Sequence, residues 1–510
     1  VLALLAYALL PRGGPPDGLT DAGRACTAVG VWMAVWWMTE AIPPAATSLL
    51  PILLLPLLGV CSTKAAAAPF GSDIVFLFLG GFLLGEAMQK WGLHRRLALH
   101  VLGAVGASPR RLVLGFMLLA STLSMWVSNT ATTLMLVPLG LSVVGLLRTR
   151  LESFHDHERI DEAERAQDRA GARNFATCVV LSIAYGASIG GVGTLIGTPP
   201  NLVMANTMKG VYDRPLAFAE WMRIGLPTAA ALGAAAWVYM VYVAFPIRLR
   251  RVPGEAGMIR RELAALGPMG RGEWVVLVTF LGAAAAWIAR PSMVRWLGLY
   301  HEDGRAGGGR VEHLEDAGIA IAAALLLFLV PVNARRREFV LDWSTAQRLP
   351  WGVLLFFGGG LSLAEAMTRT GVNEYLGSVL AGLRSVPTWM IVLTVIAGVV
   401  FLTEVASNVA VALALMPVMA SAAAALHVHP YLLMFPACLG ASLAFMLPVG
   451  TPPNAIVYAT GEVTIRQMIR AGFRLNLMSI AIVFVMVYVL GSWLLGTDLM
   501  TEPDWAARGP

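Results

Sequence analysis

Apolar runs of roughly 17 to 25 residues recur along the whole chain between short polar breaks, the length a helix needs to cross about 30 Å of hydrocarbon. Read in this way, the pattern predicts crossings near residues 1–10, 25–42, 46–60, 70–91, 174–207, 220–246, 272–290, 316–332, 350–369, 430–460 and 474–496, eleven in all. The first, VLALLAYALLP, has no Met, no basic stretch and no A-x-A-like site after it, so it reads as a span whose start is missing rather than as a signal peptide. Two further apolar stretches, 112–147 and 386–426, are each long enough for two short helices and are each interrupted at the middle by a polar triplet.

The charges decide what those two stretches are. Taken as re-entrant hairpins, they leave the clusters Arg95/Arg96, Arg110/Arg111, Arg148/Arg150, Arg248/Arg250/Arg251, Arg260/Arg261, Arg335/Arg336/Arg337 and Arg466/Arg470/Arg474 all on one side. Taking either as a single crossing scatters them. The positive-inside rule makes that side the cytoplasm, with the N-terminus inside and the acidic tail carrying Asp498, Glu502 and Asp504 outside. Composition agrees: of 510 residues 57% are hydrophobic and 13% charged, against about a quarter charged in soluble domains. The net charge of +6 belongs to short connections, which argues against a nucleic-acid partner. Cys26, Cys61, Cys178 and Cys438 lie far apart with no CxxC spacing, so neither a disulfide framework nor a zinc site is expected.

The chain also repeats itself. GGFLLGEAM at Gly80–Met88 answers GGLSLAEAM at Gly359–Met367, and SNTATTLMLVP at Ser128–Pro138 answers SNVAVALALMP at Ser407–Pro417, both displaced by 359 − 80 = 407 − 128 = 279. Ser124 and Thr403 pair at the same offset. GTPPN at Gly197–Asn201 recurs at Gly450–Asn454, displaced by 253, and the missing 279 − 253 = 26 residues correspond to the charged insert around 148–173. Five crossings separate the two copies, an odd number, so the halves are expected to run through the membrane in opposite directions. Inverted repeats with helix breaks at matching positions mark secondary transporters whose site lies at the repeat interface.

The motifs fit that chemistry. Unsatisfied backbone groups in hydrocarbon cost several kcal/mol each, so a break at membrane depth persists only where protein or a water-filled cavity surrounds it. In GTPPN the glycine permits unusual backbone angles, Thr198 and Thr451 supply hydroxyls, and the double proline stops one helix and starts the next. Carbonyls at such a turn suit a small hard cation such as Na⁺, and helix N-termini suit an anion. The Ser-Asn triplets add hydroxyls and amides that can donate or accept. A lone SNT triplet is more often helix-to-helix glue, and a lone GTPPN a kink; two copies in register displace that reading.

At these residues the chain resembles the divalent-anion/sodium symporter family of sodium-coupled dicarboxylate, citrate and sulfate carriers. The resemblance covers nearly the whole chain and rests on WWMTEAIPP at Trp36–Pro44, the paired triplets, the paired GTPPN turns and the confinement of the 26-residue difference to one connection. It implies an all-α polytopic membrane protein, a homodimer in the lipid bilayer, with about eleven transmembrane helices and two hairpins per protomer. It also implies a scaffold domain at the dimer interface and a transport domain that moves as an elevator. On that pattern, 1–69 hold N-terminal scaffold helices, 70–246 the first repeat, 247–349 a cytoplasmic arm and linking scaffold helices, 350–496 the second repeat and 497–510 an extracytoplasmic tail.

Carried over by position, the resemblance implies two or more Na⁺ ions. One site involves Ser124, Ser128, Asn129 and Gly197; the other involves Thr403, Ala406, Asn408 and Gly450, with Ala406 and Gly450 contributing backbone oxygens. The dianion lies between Ser128-Asn129-Thr130 and Ser407-Asn408-Val409, close to Thr198, Thr451 and Pro452. Val409 departs from a double SNT pattern: it has threonine's shape without the hydroxyl, which bears on substrate identity. The function implied is Na⁺-coupled symport of small divalent anions, C4-dicarboxylates first, across a bacterial inner membrane; a dicarboxylate exchanger or a sodium/sulfate symporter on the same fold are the alternatives. An intramembrane enzyme is disfavoured, because no H-E-x-x-H or CxxC stands in the spans.

Other residues have blander readings beside a functional one. Glu40, Glu86, Glu365 and Glu404 fall at expected membrane depth, where acids are functional candidates by default; structural roles near helix ends are preferred to proton coupling, and Glu404 is expected to hold its own hairpin tip in shape. His155, Asp156, His157 and Glu158 read as part of a solvated cytoplasmic helix or loop rather than a metal cluster. Arg248–Leu263 reads as a basic interfacial helix, and Trp32, Trp36 and Trp37 as anchoring or packing a span.

Overall fold

The computed structural model describes residues 2–14, 18–106, 108–157, 161–247, 263–302 and 310–507. The sequence repeat governs where its helices begin. Asp73–Lys90 is answered by Trp351–Arg369, Pro109–Ser124 by Thr388–Leu402, and Asn129–His157 by Asn408–Leu426, every start within one residue of the 279 offset. Pro199–Tyr212 is answered by Pro452–Ala459 at 452 − 199 = 253. Gly92 and Gly371, again 371 − 92 = 279, hold φ of 69° and 72°. That left-handed conformation is open to a residue without Cβ, and at both positions it turns a long helix into a shorter one, Leu93–Val105 or Val372–Leu380.

Eight helices among the described residues are long and apolar enough to cross a bilayer. Several expected crossings are assembled from pieces instead. The run at 46–60 is Pro44–Thr47 followed by Leu50–Leu57, with a proline in the first turn of each, where its missing N–H costs no helical bond. The run at 430–460 is Tyr431–Ala441 and Pro452–Ala459 around an unwound segment, and the runs at 1–10 and 316–332 are the short helices Leu2–Leu9 and Asp316–Leu329. Conversely, the second arms of the expected hairpins, Asn129–Thr149 and Asn408–Leu426, each have the length of a span. Val372–Ser385 and Thr388–Leu402 meet at 118° just before the second tip.

The charged insert is absorbed into the end of Asn129–His157 and the start of Glu162–Gly191. Two short antiparallel ribbons, Tyr300–Glu302 with Arg310–Glu312 and Pro331–Asn333 with Glu338–Phe339, occupy connections that the all-α expectation left unassigned. The basic stretch Arg248–Leu263 falls, except for Leu263, outside the described residues.

The centre of the molecule is helix Glu162–Gly191, whose apolar stretch is 94% buried. Gly186 and Gly190, one turn apart, let it lie against Pro109–Ser124: a Cβ on Gly186 would stand 2.8 Å from the Met117 carbonyl oxygen, and one on Gly190 would stand 2.1 Å from that of Ser121. This is the small-residue packing of membrane helices. The Ser121 hydroxyl donates to the Gly186 carbonyl at 2.9 Å across the same contact.

Candidate functional site

Each tip is a short unwound turn between two helices, residues 125–128 in the first half and 403–407 in the second. A fully buried hydroxyl behind each tip donates to the side-chain oxygen of the asparagine that opens the next helix: Ser124 Oγ to Asn129 Oδ1, and Thr403 Oγ1 to Asn408 Oδ1 at 2.7 Å. Ser128 Oγ accepts from Ala131 N at 3.3 Å, whereas Ser407 makes no cap bond.

Facing the tips are the breaks at 192–198 and 442–451, which run into the Gly-Thr-Pro-Pro-Asn motifs. The prolines occupy the first turn of the following helix in both. The asparagine closing each motif staples the break behind it. Asn201 Nδ2 donates to the carbonyls of Gly191 at 2.9 Å and Thr194 at 2.7 Å; Asn454 Nδ2 donates to those of Ala444 and Leu447, both at 3.1 Å. These acceptors also differ by 444 − 191 = 447 − 194 = 253. An aromatic donor takes a carbonyl of each break at equivalent positions, 445 − 192 = 253, Trp221 Nε1 on Val192 at 2.9 Å and Tyr185 Oη on Phe445 at 2.9 Å. Neither the staples nor the aromatic donors were foreseen, although the asparagine stood in both copies of the motif.

Tips and breaks surround one cavity of about 900 Å³. All nine expected substrate contacts line it: Ser128, Asn129 and Thr130, Ser407, Asn408 and Val409, Thr198, and Thr451 and Pro452. Of the expected cation ligands, Ser128, Asn129, Gly197, Ala406, Asn408 and Gly450 line it too, while Ser124 and Thr403 sit one layer behind. The remaining wall comes in part from WWMTEAIPP, through Met38, Thr39 and Glu40, and from Phe78, Phe82 and Val353. No lysine or arginine among the described residues is on the wall. Trp37 is buried, stacks on Phe356 at 5.2 Å, and donates to Ser48 Oγ at 3.2 Å, so it packs the helix that carries this wall.

The oxygens behind the cavity fit small cations. Thr403 Oγ1 has two acceptors in reach, Asn408 Oδ1 at 2.7 Å and the Ala441 carbonyl at 2.9 Å, but only one proton to give. In the first half a Cβ on Gly191 would stand 2.8 Å from Asn129 Oδ1 and 3.2 Å from the Gly197 carbonyl oxygen, so the missing side chain leaves a cradle of oxygens. In the second, a Cβ on Gly450 would stand 3.2 Å from Glu404 Oε2 and 3.4 Å from the Glu404 carbonyl oxygen. Carbonyl, amide, hydroxyl and carboxylate oxygens converging with few protons are the donor set of a hard cation.

Glu404 does more than shape its own tip. Its carboxylate accepts from the backbone N–H of Phe445 (2.7 Å), Met446 (2.9 Å) and Leu447 (3.0 Å), and from Asn476 Nδ2 (2.8 Å), which clamps the opposite break. Glu40 lines the cavity at φ 48°; Glu86 and Glu365 do not line it, and Glu365 pairs with Arg369 one turn away. The side chains of His155–Glu158 lie outside the described residues, and no group of three metal-ligating side chains occurs among those described.

Comparison with known proteins follows the same lines. The family described as the sodium:sulfate symporter transmembrane region matches residues 1–497. The sodium-dependent dicarboxylate transporter SdcS of Staphylococcus saprophyticus is 41% identical over 504 residues, covering 99% of this chain and 92% of that one. SdcS of Staphylococcus aureus is 40% identical over 485 residues, covering 95% and 89%. Among solved structures, the YdaH transporter of Alcanivorax borkumensis superposes with a TM-score of 0.57 at 16% identity, over 92% of this chain and 99% of that one. MtrF of Neisseria gonorrhoeae gives 0.56 at 13% identity, over 98% and 99%. These last two are likenesses of fold alone.

Proposed function

The chain belongs to the sodium:sulfate symporter family of membrane transporters, and we propose that within it this protein is a sodium-coupled carrier of small divalent anions, C4-dicarboxylates such as succinate, malate and fumarate first among them. One observation carries the reading: two copies of a Ser-Asn tip and two copies of a GTPPN turn line a single cavity that has no lysine or arginine among the described residues on its wall. A dianion there meets hydroxyls, amides and the N-terminal ends of four helices, starting at Asn129, Pro199, Asn408 and Pro452. Those partial charges do not neutralise two full ones, and an uncompensated dianion in a low-dielectric site is strongly disfavoured. Co-bound Na⁺ supplies the balance, which makes coupling obligatory. The SdcS relatives, sodium-dependent dicarboxylate transporters by name, point to the same class.

The tips and breaks of both halves are tied together. Tyr185 of the first half holds Phe445 of the second, Arg148 forks onto Glu462 at 2.8 and 2.6 Å, and Thr177 Oγ1 donates to the Glu462 carbonyl at 2.9 Å. That unity supports a transport domain that carries the whole site as an elevator past a scaffold holding a homodimer interface, with the N-terminus cytoplasmic and the tail outside. Hairpins penetrating the membrane from opposite faces belong to the same proposal.

Uptake into proteoliposomes tests it, with succinate, citrate and sulfate as a panel. Succinate uptake driven by a Na⁺ gradient and collapsing in K⁺ or choline is the expected result. Equal uptake in those salts removes the coupling, and uptake that requires internal dicarboxylate identifies an exchanger. Asn129→Ala and Asn408→Ala each abolish Na⁺-driven uptake while the purified protein remains folded; full activity in either displaces the site.

A further inference from the structure

Helix Ile465–Phe484 carries two stripes side by side. Arg466, Arg470 and Arg474 recur every four residues, Ile469, Phe473 and Leu477 recur every four beside them, and the six line an open groove of about 650 Å³. All six are exposed. At 1.5 Å per residue the arginine stripe runs about 12 Å along the helix axis. With its continuation to Val489 this helix is long and apolar enough to cross the membrane, so the stripe leads from a connection into the bilayer.

Nothing in the described chain neutralises these charges. No carboxylate among the described residues forms an ion pair with any of the three, and Arg474 reaches only the Tyr239 hydroxyl. Some arginines elsewhere are matched: Arg96 with Glu273 at 2.8 Å, Arg148 with Glu462 at 2.6 Å, Arg290 with Asp316 at 2.9 Å. Like charges four residues apart repel on a helix, and cations in its first turns oppose the macrodipole. Both penalties fall on one short stretch, and an external anion removes both.

The neighbouring stripe says which kind of anion. A soluble anion gains nothing from Ile469, Phe473 and Leu477, whereas a phospholipid places a phosphate at headgroup depth with acyl chains just below it. Basic pockets at the end of a membrane helix bind anionic headgroups on these terms. We propose that this groove is a binding site for an anionic phospholipid, its phosphate held by Arg466, Arg470 and Arg474 and an acyl chain laid along Ile469, Phe473 and Leu477. The opposite face of the same helix supports the second break. A Cβ on Gly472 would stand 2.1 Å from the Phe445 carbonyl oxygen, and Asn476 holds Glu404. The bound lipid therefore steadies the helix against which one wall of the cavity is built.

Purified full-length protein, titrated with phosphatidylglycerol or phosphatidylcholine, tests this by native mass spectrometry and by thermal unfolding. Phosphatidylglycerol is retained and raises the unfolding temperature; phosphatidylcholine does neither. Arg470→Gln and Arg474→Gln each weaken phosphatidylglycerol retention about fivefold, and Arg470→Lys and Arg474→Lys keep most of it. In phosphatidylcholine alone the glutamine variants unfold no earlier than the parent, because neutralisation removes a repulsion. Undiminished retention by the glutamine double variant overturns the proposal, as does earlier unfolding in phosphatidylcholine, which would mean that the protein itself satisfies the charges. Equal protection by inorganic phosphate that is lost in the glutamine double variant overturns it in favour of a soluble-anion site.

Discussion

The two halves build the same tip and the same staple on different foundations. Met125 and Glu404 stand at equivalent positions, 404 − 125 = 279. In the first half the break satisfies its own backbone where the halves differ: Val192 N donates to Ile189 (3.2 Å), Gly193 N to Gly190 (2.8 Å) and Thr194 Oγ1 to Met125, while the bond from Gly197 N to Thr194 (3.3 Å) recurs as Gly450 N to Leu447 (3.1 Å). The Met125 side chain packs close to Gly193. In the second half the N–H groups at the equivalent positions, Phe445 and Met446, and that of Leu447 go to the Glu404 carboxylate, without which they would be orphans. Most groups that face the cavity are duplicated, as are the hydroxyl and the asparagine staple behind each tip and break, but Met125 and Glu404, which support the breaks, are not alike. A repeated motif therefore identifies what the ligand meets, while the means of support is free to differ wherever it leaves the same surface in place.

The contrast is sharpest at glycine contacts. Gly190→Ala drives a Cβ to 2.1 Å from the Ser121 carbonyl oxygen, which belongs to the backbone and cannot step aside. Loss of folded protein after membrane extraction is expected, the largest effect of any single change in this comparison. Gly440→Ala, on a second-half helix where the nearest atom is 3.4 Å away, is tolerated, and size-exclusion profiles of the two variants distinguish the cases. Next comes Glu404→Ala. Orphaned buried N–H groups cost about 1–3 kcal/mol each, so a loss of at least about 3 kcal/mol is expected in thermal unfolding, with transport abolished. Met125→Ala costs less, having only packing to lose. Similar losses from the two would erase the difference between the foundations.

Removing one staple at a time probes what the halves share. Asn201→Ala and Asn454→Ala each free two carbonyls, for about 2 kcal/mol by the same scale, and each lowers Na⁺-driven uptake. Asn201→Ala is the more harmful of the two, since no carboxylate backs the first break. The smallest effect concerns the one mismatch between the triplets. Val409→Thr restores a hydroxyl to the cavity wall and shifts preference among succinate, citrate and sulfate by about 1 kcal/mol, a few-fold in competition uptake; an unchanged profile would make the two tips equivalent to substrate.

What the sequence could disclose follows the same division. Ser128, Asn129, Thr130, Ser407, Asn408 and both GTPPN turns were legible because each occurs twice at fixed spacing, and all reach the cavity. The partners of Asn201, Asn454 and Glu404 were not, because all but the Asn476 amide are backbone groups, which no residue letter reports. Glu404 was expected to serve its own tip and instead serves a break some 40 residues on, a long-range contact without a repeat to betray it. Crossings were legible as apolar runs, yet hydropathy does not separate one long helix from two short ones when prolines sit inside the run, as at Pro44, Pro51 and Pro452.

The Tyr185 phenol leaves its own half to close the Phe445 carbonyl of the other. On the reading proposed here, the two breaks then travel as a single body. A leak, in which one cation slips across without its partner or without the anion, would require that body to come apart in the middle of the stroke. A phenol remote from every ligand thus bears on how faithfully the gradient is spent, and its removal by Tyr185→Phe would be felt as lost economy before it was felt as lost affinity.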